Sequence, residues 1–357
     1  MQSICAFGCF DPSGARSWVI RTGLEKNGYS ITFCNTSEPG LVRKFLDLVR
    51  RWKEMAASAD ALYVVFLGHY YMPLAWWLGK RRGIPVILDA FLSLYDTDVC
   101  DRRRFSPWSP HAWLLWLVDF FACHLASVVL LETEEHKEYF MRRYALRPEK
   151  ILVLPIGSRT DLFLPEEKQE ASHQSFIVEF HGSFIPLQGI ETILRAAKEL
   201  SEEPVIFDII GKGQTYPAMR TLAQELKLTN VRFSGNIPME EIPARLHSAD
   251  ICLGIFGSTA KTQRVIPTKA YEILNCGCPM ITARTPAIER LLRDRCHALL
   301  VPAADPKALA QAIVELKNDS NLRENIAQNG RRLSLELFQP TTIVTPLVTW
   351  LKSRLHG

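Results

Sequence analysis

The first part of the chain alternates short apolar runs with longer segments in which apolar residues recur every three or four positions. Apolar runs of about four to eight residues predict buried strands, and the longer recurrence predicts helices packed against them. The predicted strands are SICAFGCF, YSITFCN, ALYVVFLGH, IPVILDAF, ASVVLLET and KILVLPIG. Helical patterns such as WVIRTGLEKNG and HAWLLWLVDFFACHLA separate them. Strand, helix and strand in this order form the βαβ unit, so we expect a parallel α/β domain.

A polar segment without periodicity, DLFLPEEKQEASHQS (161–175), predicts a linker. The alternation then restarts at FIVEFHGS and continues to NLRENIAQNGRRLSLEL. We therefore expect one doubly wound domain over residues 1–165 and a second over 166–340, followed by a single amphipathic helix within 341–357. Ligands of open parallel sheets bind beyond the carboxyl ends of the strands, so a cleft where the two sheets face each other is the predicted site.

Composition narrows the classes of function. The 357 residues are 47% hydrophobic and 22% charged, as in ordinary soluble proteins, and the length suits two domains. The formal net charge of +4 is too small a basic bias for a typical nucleic-acid binder, so no nucleic-acid partner is expected.

Cysteine usage indicates a reducing compartment. The nine cysteines include no C-x-x-C pair, and most lie in apolar runs, which favours buried thiols over disulfides or a zinc site. The start MQSICAFGCFDP lacks the basic and apolar regions of a signal peptide. No run reaches about 18 uncharged apolar residues, the length of a membrane span. The expectation is a cytoplasmic protein without a bound metal.

Ordered motifs in the second half carry a family resemblance. They are HGSFIPLQGIETILRAAKEL, IIGKGQ, VRFSGNIPMEEIPARLHSADICLGIFG, VIPTKAYEILNCGCPMIT and ALLVPAADPKALAQAIVEL. In this order they resemble the retaining glycosyltransferases of family 4, which have the GT-B fold. FGCFDPSGAR, DAFLSLYDTDVCDR and FIPLQG are similar to the bacterial surface-polysaccharide type. The resemblance implies two Rossmann-like domains facing across a cleft, an N-terminal acceptor domain, a C-terminal donor domain, and a final helix that packs back on the first domain.

The resemblance also implies a nucleoside-diphosphate sugar donor, UDP- or GDP-linked, bound without a metal. Glu272 matches the family's ribose-binding Glu, but Arg264 occupies the place of its first Glu. Gln188 stands where the family has a phosphate-binding Lys. We therefore hypothesise that the diphosphate is bound instead by Lys261, Arg264 and Lys269. The alternative for this stretch is a solvated basic loop that caps a helix.

Small residues at predicted strand ends complete the expected donor site. Backbone can approach a phosphate closely at Gly182 and Ser183, and amides at a helix start such as 267–269 attract anions. The remaining predicted donor contacts are Gln188, Gly211, Gly213, Ile237, Pro238, Pro267 and Thr268. For each turn among them, a tight turn without function is the alternative.

Two acids of the first domain, Asp89 and Asp96, follow the strand IPVILDAF. Carboxylates at this edge can orient acceptor hydroxyls or support positive charge at the sugar's anomeric carbon, so both are catalytic candidates. Gly8, Arg16 and His69 are the candidate acceptor contacts. Helix capping, ion pairs and a satisfied structural histidine are the alternatives.

The segment RRRFSPWSPHAWLLWLVDFFACH mixes arginine with tryptophan, which suits a membrane interface as well as a core helix. A glycan or polyprenyl-linked acceptor is expected. The predicted reaction is transfer with retention of configuration. Two alternatives are a sugar-nucleotide 2-epimerase and a catalytically inactive partner subunit. A dehydrogenase is disfavoured because the first strand is not followed by G-x-G-x-x-G.

Overall fold

The structure, a computed structural model, describes residues 2–55, 58–166 and 175–355. These residues form two compact units. One comprises the chain up to Gly157 together with the chain from Gln339 onward, and the other is Ser158–Phe338. Each unit holds a six-stranded parallel sheet flanked by helices. No helix among the described residues is long and apolar enough to cross a bilayer.

The unit boundaries fall earlier than those predicted at 165/166 and 340/341. Phe163 is almost fully buried in the second unit, and its carbonyl accepts a hydrogen bond from the Asn275 side chain. The start of the predicted linker therefore packs as part of the second unit. Residues 167–174 of that linker lie outside the described residues.

The sheet of the first unit has the strand order β2-β1-β3-β4-β5-β6. Its central strands are apolar on both faces because helices cover both, as expected for a parallel sheet. The strands are β1 (Ser3–Gly8), β2 (Ser30–Asn35), β3 (Ala61–Val64), β4 (Val86–Phe91), β5 (Val128–Leu131) and β6 (Ile151–Val153).

The helices of the first unit bury one apolar side against this sheet. They are α1 (Ala15–Lys26), α2 (Leu41–Met55), α3 (Met72–Arg82), α4 (Pro110–Leu125) and α5 (Glu134–Tyr144), joined later in the chain by two short helices. Where the pattern predicts a single final helix, the chain forms α13 (Pro340–Ile343) and α14 (Thr345–Leu355). Pro346 has no N–H to continue a helix, so a new helix begins just before it.

The close contact between α1 and α13 depends on a glycine. A Cβ at Gly23 of α1 would collide with the carbonyl oxygen of Pro340. Ile343 and Leu347 are almost fully buried nearby. The C-terminal segment is thus an integral part of the first unit.

The sheet of the second unit has the strand order β12-β11-β10-β7-β8-β9, so the order reverses between β10 and β7. Such a reversal leaves a crevice at the carboxyl edge. The strands are β7 (Phe176–His181), β8 (Val205–Ile210), β9 (Val231–Gly235), β10 (Ile251–Leu253), β11 (Met280–Ala283) and β12 (Leu299–Val301).

The second core is built from the inward residues of these strands and the apolar faces of the helices around them, with Phe180, Phe207 and Ile313 fully buried. The helices are α6 (Ile190–Glu199), α7 (Tyr216–Glu225), α8 (Ile242–Ser248), α9 (Thr268–Cys276), α10 (Pro286–Leu291), α11 (Pro306–Asn318) and α12 (Ser320–Leu337).

Candidate functional site

A pocket of about 410 Å³ opens at the carboxyl ends of β7, β8 and β9 in the second unit. This volume and this edge of a parallel sheet are typical of small-ligand sites. The lining residues are Phe163, His181, Gly182, Ser183, Ile210, Gly211, Lys212, Asn236, Ile237, Met239, Ile242 and Glu272. Five of the predicted donor contacts are thus brought together, namely Gly182, Ser183, Gly211, Ile237 and Glu272.

A buried histidine lies between two carboxylates at the rim of this pocket. His181 Nδ1 lies 3.0 Å from Glu179 Oε1, and its Nε2 lies 2.9 Å from Glu272 Oε2. Glu179 and His181 share a face of β7 because alternate residues of a strand point the same way. All three side chains are nearly inaccessible to solvent. The hydrogen bond from His181 therefore fixes the position of the Glu272 carboxylate.

The same contacts decide the charge of His181. Burial by itself lowers the pKa of His181, but the charges and hydrogen bonds of Glu179 and Glu272 outweigh it and raise the pKa to about 9. At neutral pH the ring is an imidazolium that donates one hydrogen bond to each carboxylate. The pocket rim thus holds a preorganised chain of alternating charges.

Lys269 places a buried amine beside this chain. Its Nζ donates a 2.7 Å hydrogen bond to Gln188 Oε1 and lies 3.4 Å from the centroid of the Phe180 ring. Burial lowers the pKa of Lys269 well below its ordinary value, against the opposing pull of Glu179 and Glu272. Lys269 and Glu272 are three residues apart, so α9 presents both on one face.

Two glycines allow close packing at the ends of β7 and β8, beside the pocket. Gly182 has φ +147°, and a Cβ there would lie 2.8 Å from Lys269 Nζ. Gly211 has φ +127°, and a Cβ there would collide with the Gly182 carbonyl oxygen. Only glycine combines these conformations with such close approach. The ends of β7 and β8 can therefore bring bare backbone next to a ligand.

Other predicted donor contacts lie outside the lining of the pocket. Gln188 accepts a hydrogen bond from Lys269, while Gly213 lies against the backbone of Phe184. Pro267 and Thr268 form the start of α9. Pro238 is exposed in the turn after Ile237.

The predicted phosphate cations also differ in placement. Among the described residues, Lys261 and Arg264 are not part of the pocket lining, although both lie in the segment before α9. Lys261 is buried, and Arg264 is half-buried. Lys269 is not part of the lining either, but its amine lies directly beside Gly182. Lys212, an exposed cation in the lining, was not singled out as a phosphate cation by the sequence reasoning.

In the first unit, the candidates Arg16 and Asp89 pair with each other in the interior. Arg16 Nε and Nη2 each donate a 3.0 Å hydrogen bond to the Asp89 carboxylate, and Nη1 donates to the carbonyls of Leu154 and Pro155. The Tyr63 hydroxyl donates to the same carboxylate at 2.7 Å. This network joins α1, β4 and the chain after β6, which favours the structural alternative for both residues.

The other first-unit candidates are buried as well. His69 Nε2 lies 3.7 Å from Asp119 Oδ1. Burial lowers the pKa of His69 in spite of Asp119 and Asp89, so its ring is neutral at neutral pH. Asp96 is 2% exposed at the start of a π-helical turn, Asp96–Asp101. Gly8 ends β1 and faces the Tyr71 ring. The structure therefore does not gather these residues into one accessible group within the described part of this unit.

The segment that contains most of the pocket matches a known family model. Residues 165–333 match the family model described as Glycosyl transferases group 1. This stretch includes every residue of the pocket lining except Phe163.

Two curated relatives that match the chain are glycosyltransferases by name. The MMP alpha-(1->4)-mannosyltransferase of Mycolicibacterium hassiacum is 26% identical over 209 residues, 57% of this chain and 49% of its own. The D-inositol 3-phosphate glycosyltransferase of Corynebacterium diphtheriae is 24% identical over 293 residues, 74% of this chain and 65% of its own. The chain spans less than two thirds of either relative. These matches support a glycosyltransferase and do not favour an epimerase or an inactive partner.

Solved structures agree in fold over nearly the whole chain. HepE of Anabaena, crystallised with UDP and glucose, is 17% identical with a TM-score of 0.73, covering 99% of this chain and 100% of its own. The sucrose-phosphate synthase of Thermosynechococcus elongatus is 18% identical with a TM-score of 0.77, covering 99% of each chain. The predicted fold class, GT-B with two Rossmann-like α/β domains, is confirmed.

Proposed function

We propose that the protein is a glycosyltransferase that moves a sugar from a nucleoside-diphosphate sugar, UDP- or GDP-linked, to a glycan or lipid-linked acceptor. The observation that carries the proposal is the Glu272 carboxylate, held at the pocket rim by His181 within the segment that matches the family model. A fixed carboxylate can accept hydrogen bonds from both hydroxyls of a ribose. In this proposal the base of the nucleotide lies toward Ile237.

The diphosphate, in this proposal, lies over Gly182 and Ser183. The backbone there can approach a ligand closely because Gly182 has no side chain, and the Lys269 amine lies beside it on the adjacent helix. A diphosphate beside Lys269 favours the charged form of its amine, which burial otherwise disfavours. Lys212, Lys261 and Arg264 are the further cations that we assign to the diphosphate or the sugar.

The proposed reaction keeps the configuration of the sugar, as in the family 4 enzymes that the sequence resembles. The bond between the anomeric carbon and the diphosphate oxygen breaks, with its electron pair going to the diphosphate. The acceptor oxygen forms the new bond on the same face, and its proton passes to the departing diphosphate. Negative charge grows on that group, so fixed cations and amide dipoles lower the barrier.

The first unit is the proposed acceptor-binding domain, and the proposed setting is bacterial surface-polysaccharide assembly in the cytoplasm. Arg16 and Asp89 hold that unit together in this account and do not touch the acceptor. Gly8, His69 and Asp96 remain candidates at the carboxyl edge of its sheet.

The test is release of nucleoside diphosphate when the purified chain is incubated with UDP-sugars and GDP-sugars. Release from one donor class is expected, with water or an added glycan as acceptor, and Glu272→Gln should abolish it. Glu240→Gln is the matched control, because Glu240 is exposed in the turn beside the pocket but outside its lining. No release from any donor would contradict the proposal. An isolated product with the opposite anomeric configuration would contradict retention.

A further inference from the structure

The outward side of α4 is mostly apolar, with His124 exposed near its C-terminal end. Trp113, Leu114, Leu117 and Phe121 are 59%, 54%, 40% and 54% exposed, and their spacing puts them on one face of the helix. The helix contains no Lys, Arg or Glu, and its single acid, Asp119, is fully buried on the inward side. Exposed apolar surface of this extent on a folded domain marks an interaction site.

The neighbouring helix extends this surface and adds cations. α3 packs beside α4 and carries Trp76 and Trp77, which are 36% and 41% exposed. Lys80 Nζ lies 4.9 Å from the centroid of the Trp76 ring, and Arg81 Cζ lies 4.0 Å from that of Trp77. Positive charge is therefore held directly against the exposed rings.

The residues just before α4 add another exposed ring and further arginines. Trp108 is 87% exposed, and Arg103 and Arg104 precede it on the surface. No exposed carboxylate occurs in either α3 or α4. The surface thus combines aromatic rings with cations, although Arg104 is paired with the carboxylate of Asp98, which is 22% exposed.

A small pocket of about 240 Å³ lies at one end of this surface. It is lined by Tyr95, Pro107, Trp113, Trp116 and Arg143. The guanidinium of Arg143 lies 4.6 Å from the centroid of the Tyr95 ring. An exposed cation among aromatic rings suits a phosphate group with an attached hydrocarbon chain.

We propose that these residues of α3, α4 and residues 102–109, together the aromatic face, dock on the surface of an anionic lipid bilayer. Tryptophan and phenylalanine are favoured at the headgroup level of a membrane, and adjacent Lys and Arg are attracted by anionic lipids. Arg143 receives a headgroup phosphate. The inference does not rest on the proposed function, since it concerns a different surface of the other unit.

The test is co-sedimentation of the full chain with vesicles of equal parts phosphatidylcholine and phosphatidylglycerol, against vesicles of phosphatidylcholine alone. Binding to the anionic vesicles is expected, weakening with added salt. Leu114→Ser with Leu117→Ser should lower the partition coefficient at least about tenfold. The matched control is Leu335→Ser with Leu337→Ser, on α12 of the second unit, where the leucines are 51% and 45% exposed.

A second pair of variants tests whether the positive charges of Lys80 and Arg81 contribute to vesicle binding. Lys80→Gln with Arg81→Gln should weaken binding about fivefold for each lost cation, whereas Lys198→Gln with Arg332→Gln, at exposed sites of the second unit, should not. The proposal is overturned if the wild-type chain ignores anionic vesicles, or if the Leu114 and Leu117 pair binds them as wild type does. It is also overturned if, without vesicles, light scattering shows a dimer that this pair dissociates, because a second copy would then cover the face.

Discussion

The Nε2 atom of His181 lies 2.9 Å from Oε2 of Glu272, across 91 positions of sequence. The other ring nitrogen of His181 is held by Glu179, so the ring cannot turn without losing both hydrogen bonds. Glu272 is the residue that the proposed function places on the ribose of the donor. The orientation of that carboxylate is therefore set by β7, a rigid central strand, and not by α9 alone.

The charge of His181 makes stability depend on pH. Its pKa is raised from 6.5 to about 9, so the stabilisation is fully present below about pH 6.5 and is lost as the pH rises through about 9. The shift corresponds to about 3 kcal/mol in the free energy of unfolding. Urea unfolding of the wild type at a series of pH values should show this decline. In His181→Gln the decline over that interval should disappear, and an equal decline in both proteins would contradict the assigned charge.

Lys269 is predicted to bind the diphosphate, and its replacement by methionine keeps the buried volume beside Phe180. Lys269→Met should weaken nucleoside-diphosphate affinity about ten- to hundredfold because one charge-assisted hydrogen bond is lost. Isothermal titration measures this. The control is Lys198→Met, an exposed lysine on α6. Unchanged affinity in Lys269→Met would show that this cation serves packing only.

Lys261 and Arg264 are predicted to act on the reaction more than on the fold. Lys261→Ala or Arg264→Ala should lower turnover about a hundredfold, the scale of a lost transition-state donor. Folding stability should fall far less than turnover in each variant, although Lys261 is buried. Turnover at the wild-type level in both variants would end the hypothesis that these cations replace the family's usual phosphate-binding residues.

Asp89 is predicted to stabilise the first unit through its pairing with Arg16. Asp89→Asn leaves a buried guanidinium without its partner charge and should reduce the free energy of unfolding by about 3 to 5 kcal/mol. The exposed pair Arg142 and Glu138 provides the control, since Glu138→Gln should change stability by less than about 1 kcal/mol. Donor-nucleotide binding should survive in Asp89→Asn at low temperature. Wild-type stability in this variant would contradict the structural assignment.

The sequence predicts much of the fold, and five of the twelve residues that line the pocket are among its candidates, for identifiable reasons. Strands and helices were readable because both sheets are parallel and their apolar runs are short and bounded. Gly182 and Glu272 were readable because each belongs to a local motif. The strand FIVEFHG also held an unused signal, because Glu179 and His181 are polar residues at alternate positions of an otherwise apolar strand.

The rest depended on contacts between distant parts of the chain. Pairing of Arg16 with Asp89 spans 73 positions, and nothing local distinguishes such a pair from two surface charges. The exposed side of α4 was equally unreadable, because the helix is apolar nearly all round and periodicity cannot say which face the sheet covers. The break before Pro346 does follow from the sequence, because a proline cannot continue a helix.

The most direct test of the account is a thermal-shift series of the purified chain with UDP, GDP, ADP, dTDP and CMP, repeated with Glu272→Gln and Glu240→Gln. A bound diphosphate at about 100 times its dissociation constant should stabilise the fold by about 2.7 kcal/mol. The account predicts that one nucleotide raises the melting temperature of the wild type and of Glu240→Gln but not of Glu272→Gln. If no nucleotide shifts the wild type, or if Glu272→Gln responds as the wild type does, the pocket at Glu272 is not the donor site.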